Sequence, residues 1–207
     1  MKYIHELPSV REGLDFLLKN DPVFSKSGID IGAFAWPYMG PGFPGLVRIV
    51  IGQQVSTSAA DSMWQKFQTG VGDVTPQAIM ALSEEQMKAF GLSRQKISYI
   101  TLLAKATADR SLKLDGFGKM DDSGVTAAIT ALKGLGPWSA QMYLMFGLGR
   151  PDVWPAGDLG IQEGLRKYLN APARPGIMET LLEGKRFAPH RTAASLLLWR
   201  LKGTPET

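Results

Sequence analysis

Cysteine is absent from the 207 residues, and histidine occurs only at His5 and His190. The missing thiols exclude disulfides, iron–sulfur clusters, thiolate metal sites and cysteine nucleophiles together. Two imidazoles are too few for a histidine-rich metal centre, so no metal ligand set is expected. Long apolar runs are lacking as well. Nothing approaches the roughly 20 residues that a membrane span needs, and Met1 to Glu6 is not followed by the apolar core of a secretion signal. A soluble intracellular protein with no membrane partner is the expectation. The charge excess is mild, +4 with a pI of about 9.3, which permits contact with a polyanion without demanding it. With 44% hydrophobic residues, the chain can bury a core as a single domain, 1–207, of one or two lobes.

Strand alternation, low-complexity tracts and fixed-period repeats are missing too, whereas helical spacing recurs almost throughout. Leu7 to Lys19 sets Val10, Leu14, Leu17 and Leu18 on one stripe and stops before Asp21-Pro22. Ser25 to Gly45, rich in glycine, proline and rings, reads as an irregular connector. An apolar run from Leu46 to Gly52 is interrupted by Gln53-Gln54-Val55-Ser56, and Ser56 or Ser58 caps a helix to about Phe67. Thr75-Pro76 starts a short helix to Leu82, and Ser83-Glu84-Glu85-Gln86 resembles a capping box. Arg94 to Ala106 presents Ile97, Ile100, Leu102 and Leu103 as its apolar face. Asp122 or Ser123 caps a helix to Leu132, Pro137 opens one ending near Gly147, and Asp158 opens another to Leu169. Segments of about Gly176 to Leu182 and His190 to Leu201 complete an all-α chain of about ten helices with short links.

Two features carry chemistry. Gly134-Leu135-Gly136, followed by Pro137, joins two helices in a compact hairpin. Glycine permits backbone angles closed to other residues and lets a second backbone approach. The free amides at the positive end of the following helix suit an anion such as phosphate, with Leu135 turned inward to hold the hairpin shut. A bare glycine-x-glycine is equally an ordinary interhelical turn. The second feature is Asp158, which stands at a helix start where an aspartate normally caps. A carboxylate there is also favoured in its charged form and can stabilise a cation made by breaking a bond.

Leu132 to Ala140, followed by Asp152-Val153-Trp154-Pro155-Ala156-Gly157-Asp158-Leu159-Gly160-Ile161, closely resembles the helix-hairpin-helix DNA glycosylase superfamily. Within it the chain is most similar to the alkylbase (3-methyladenine) DNA glycosylase II branch. Gly52 to Ser56, Gly91 to Lys96, and Pro189 to Ala194 through Trp199-Arg200 match further blocks in the family's order. The resemblance implies two lobes, a central one of about 46–157 and another formed by the terminal segments, with an active-site cleft between them. The larger members' amino-terminal β-rich domain is not expected in Met1 to Gly42.

By the same resemblance Asp158 is the catalytic residue, acting electrostatically and by orienting water. The lysine that lets related enzymes also nick the strand would stand at the position of Trp138, so a monofunctional enzyme is implied. Trp138 would line the base pocket. Met142 occupies the position of a pocket tyrosine, with Tyr143 one residue beyond, and His190 replaces a tryptophan on the other wall. Gln54 would plug the hole left by a flipped base, with Gln53 as scaffold, and Trp199 reads as core. Gly134, Leu135, Gly136 and Lys133 would contact DNA; Arg94, Lys96, Lys133 and Arg191 are candidate phosphate contacts, each read first as an ordinary solvated charge. A structural monovalent cation at the hairpin carbonyls is implied, but no catalytic cofactor. The expected partner is duplex DNA with damaged bases, bound by a monomer in the cytoplasm, or in the nucleus of a eukaryote. A glycosylase for deaminated or other damaged bases, a non-catalytic helix-hairpin-helix DNA-binding module, and a protein-interaction scaffold that has lost activity remain as alternatives.

Overall fold

A computed structural model of the chain describes residues 2–203. Among them there is no strand, only an isolated bridge between Tyr3 and Pro37. The helices are α1 (Pro8–Asn20), α2 (Pro22–Lys26), α3 (Phe43–Gly52), α4 (Thr57–Val71), α5 (Pro76–Met80), α6 (Glu84–Ala89) and α7 (Arg94–Ala108). They continue with α8 (Asp122–Thr130), α9 (Pro137–Met142), α10 (Leu159–Tyr168), α11 (Ile177–Glu183) and α12 (Arg191–Lys202). Short 3-10 turns fill several links, and α9 runs on into a wider π turn over Tyr143–Gly147.

Most starts follow from local capping chemistry. Ser56, Thr75, Ser83 and Ser93 each accept a backbone N–H of the first turn, and Ser83 with Gln86 closes a reciprocal capping box. Three details differ from expectation. Asp121, one residue before Asp122 and two before Ser123, caps α8 by accepting from Gly124 N at 2.8 Å. The Asp21 carboxylate accepts from Val23 and Phe24, so Asp21-Pro22 both ends α1 and nucleates the short α2 inside the expected stop. Leu102 lies off the buried face of α7, which is completed by Ala104.

The chain forms two compact units: Met39–Leu148, and Met1–Tyr38 together with Gly149–Thr207. In the first, α3 buries Leu46, Val47, Ile49, Val50 and Ile51. That unit begins and ends earlier than 46–157. The segment after Leu148 belongs to the second unit because it hydrogen-bonds there: the Val153 backbone N donates to Thr192 Oγ1, and the Trp154 indole donates to Thr180 O. In the second unit α12 is buried on nearly all sides from Thr192 to Leu198. It packs on α10 because Gly160 and Gly164, one turn apart, offer no Cβ. A side chain at Gly164 would collide with the Leu198 carbonyl, and one at Gly160 with the Trp199 indole.

Candidate active site

The hairpin between α8 and α9 is shaped by one glycine and left open at the other. Gly134 has φ +92°, and the ring of Tyr99 lies flat against it where any Cβ would stand. Gly136 has ordinary extended angles and nothing within 4 Å of a would-be Cβ, so its space faces outward. Leu135 between them is buried, and Lys133 is exposed. Gly136 caps α9 without a side chain, and Pro137 follows as its first residue. Three carbonyls of the turn already accept protein hydrogen bonds: Leu132 from Leu135 N, Gly134 from Gln53 Nε2, and Gly136 from Ala140 N. A carbonyl has a second lone pair, so this donor set still fits a monovalent cation.

The loop after α3 is fastened to this turn. Gln53 donates through Nε2 to Gly134 O at 2.9 Å and to Ser139 Oγ at 3.0 Å. Its neighbour Gln54 is exposed and held at φ +56°. Lys96, read as a candidate phosphate contact, is instead buried, and its amine donates to the Ile51 carbonyl at the end of α3. Burial holds that amine below the ordinary lysine range. Arg94 is exposed, near Glu84. Gln53, Lys96 and Tyr99 were not legible as a set, since their contacts join segments far apart in sequence.

The expected pocket residues divide. Trp138 is half-buried. Tyr143 has no exposed surface: its hydroxyl accepts from Gly42 N at 2.8 Å and its ring meets Phe117 edge-on. Met142 is buried too. Tyr143 is a core residue of the Met39–Leu148 unit, held there by Gly42 and Phe117 at the start of the π turn. His190 precedes α12 and packs its ring 5.1 Å from Phe16. Arg191 is not a solvated charge; it grips Asp152 through Nε at 2.7 Å and Nη2 at 2.8 Å. Its hydrogen bonds hold the Asp152 carboxyl below the usual carboxylate range, against a smaller opposing effect of burial.

Asp158 caps α10. Its Oδ1 accepts from Ile161 N at 2.9 Å and also from the Trp199 indole Nε1 at 2.9 Å. The side chain is half-buried, so it is neither sealed in the core nor fully solvated. Both of these donors are neutral N–H groups, and together they fix the position of Oδ1. Trp199, read from sequence as core, is thus a direct partner of Asp158, admitted to it by the missing side chain of Gly160.

The chain is similar to known proteins along most of its length. It is 33% identical over 159 residues to DNA-3-methyladenine glycosylase 1 of Schizosaccharomyces pombe, covering 75% of this chain and 70% of that one. It is 28% identical over 163 residues to a putative DNA-3-methyladenine glycosylase of Bacillus subtilis, covering 75% of this chain and 57% of the relative. The structure of an S. pombe 3-methyladenine DNA glycosylase in complex with abasic DNA superposes with a TM-score of 0.81 at 28% identity, over 91% of this chain and 95% of that one. Residues 47–189 match the family model of the HhH-GPD superfamily. With the glycine hairpin and Asp158 both inside that match, the chain belongs to the HhH-GPD superfamily of base excision DNA repair proteins.

Proposed function

We propose that this protein is a monofunctional DNA glycosylase that releases alkylated purines, of the 3-methyladenine type, from duplex DNA. The observation that carries the reading is the carboxylate of Asp158, held at a helix mouth by two neutral donors. Chemistry on a base requires taking it out of the stack. As the bond between base and sugar breaks, positive charge develops on the sugar. Asp158 stabilises that charge and orients the water that attacks it. The base departs with the bonding electron pair, which neutralises the positive charge that alkylation gave it; the water hydroxyl ends on the sugar carbon, the water's other proton passes to solvent, and an abasic site remains. The open mouth of α9 receives a phosphate, Trp138 stacks on the electron-poor purine, and Gln54 fills the vacated space. The carbonyls of Leu132 and Gly134 are groups that would hold a monovalent cation, which stiffens the turn and takes part in no bond change.

Strand cleavage would need an amine nucleophile. The amine of Lys96 has the lowered basicity such a role uses, but it is turned inward onto Ile51 O. Trp138 stands at the position where an amine would be needed. Incubation with duplexes carrying different modified bases should liberate alkylated purines, identified by mass spectrometry, and leave strands intact until alkali is added. Covalent trapping on the DNA by borohydride would overturn the monofunctional assignment, and release of deaminated bases alone would redirect the substrate class.

A further inference from the structure

The loop that carries Gln54 and the turn that carries Gly134 belong to different helical pairs, yet one side chain joins them. The Gln53 amide donates to both Gly134 O and Ser139 Oγ, so its two donor hydrogens are both committed to the hairpin. Two residues earlier, Lys96 fastens the end of α3 through Ile51 O at 2.6 Å. Ser139 is buried at the first turn of α9, and Gly134 is pinned by the Tyr99 ring, so the anchor points themselves cannot yield. Immediately after these fastenings Gln54 takes a left-handed backbone angle and is exposed to solvent. Such an angle costs a non-glycine residue free energy and persists only where its surroundings impose it.

We infer that Gln53 is a positioning residue that couples the hairpin's hold on the DNA backbone to the insertion of Gln54 into the duplex. This rests on the proposed glycosylase function. A free loop would let Gln54 relax to an ordinary backbone angle and face many directions. With Gln53 clamped to the turn, docking of the hairpin on a phosphate fixes where the Gln54 side chain enters. Gln53 touches neither base nor sugar in this scheme; its effect passes through Gln54.

A double-mutant cycle tests the coupling. The variants are Gln53→Ala, Gln54→Ala and the pair, with Gln53→Glu as an isosteric variant that sets an acceptor against the Gly134 carbonyl. Insertion is read by 2-aminopurine fluorescence opposite a tetrahydrofuran abasic analogue, and base release by single-turnover assay on methylated duplex. Each single variant should lose about tenfold in both readouts, while the pair loses little more than either alone, as for residues acting as a unit. Gln53→Glu should behave as Gln53→Ala. Multiplying losses in the pair, or a Gln53→Glu variant that inserts as well as the parent, would overturn the coupling. A merely destabilising Gln53 substitution would not make the Gln54 substitution silent. The fluorescence readout needs no catalysis, so a parent that inserts Gln54 but releases no base would refute the proposed function and leave the coupling standing.

Discussion

The mouths of α9 and α10 meet the same physical demand in opposite ways. Every helix start leaves backbone N–H groups without partners inside the helix. At α9 the capping residue is Gly136, which has no side chain, and Pro137 follows. At α10 it is Asp158, whose own Oδ1 accepts from Ile161. The first mouth brings no anion and leaves space for one; the second carries its anion with it and holds that anion in place with Trp199. Under the proposed function, capping chemistry thus separates a site that receives charge from a site that presents it.

The sharpest way to break the comparison is within the hairpin itself. Gly134→Ala forces a Cβ into the Tyr99 ring at a positive φ, and should cost about 2 kcal/mol or more in thermal melting. Gly136→Ala adds a Cβ with no atom beyond its chain neighbours within 4 Å and should cost only the ~0.5–1 kcal/mol of a poorer helix cap, but should weaken binding to an abasic duplex about tenfold by blocking backbone approach. Equal melting of the two variants would erase the distinction between a shaping glycine and an open one. On the Asp158 side, Trp199→Phe keeps a ring against Gly160 and removes the indole N–H. Base release should fall about tenfold, the scale of one lost hydrogen bond to a charged group. Unchanged release would return Trp199 to a packing role.

The smallest effect concerns the segment leading to Asp158, which Arg191 ties down through Asp152. The Asp152 pKa is depressed in the folded state, so its contribution to stability is fully present above the ordinary carboxylate range and is lost as pH falls from that range through the lower folded value. Asp152→Asn should therefore lower the melting temperature near neutral pH, by about 2–4 °C for about 1 kcal/mol in a partly exposed pair. The gap between variant and parent should close below about pH 4. A gap that widened in acid would reverse the sign of this account.

Helix starts were legible because capping is local: the Ser83 box, Thr75-Pro76 and Asp158 each involve residues within one turn. The start of α8 was ambiguous for the same local reason, since Asp121, Asp122 and Ser123 are all good caps and only the fold selects among them. The second layer of the site was not legible. Trp199 is 41 residues from Asp158, Lys96 is 45 from Ile51, and Gln53 is 81 from Gly134, and no periodicity records such pairings. Met142 and Tyr143 stand near the pocket positions in sequence, but Tyr143 is set in the core by packing around Gly42 and Phe117.

The most direct test replaces Asp158 with Asn and measures single-turnover base release from methylated duplex beside binding of the same duplex. Asn accepts the Ile161 N–H about as well as Asp, so melting and binding should persist. Release should fall at least ~100-fold once the charge is gone. Release within a few-fold of the parent would contradict the account, because an uncharged cap would then suffice.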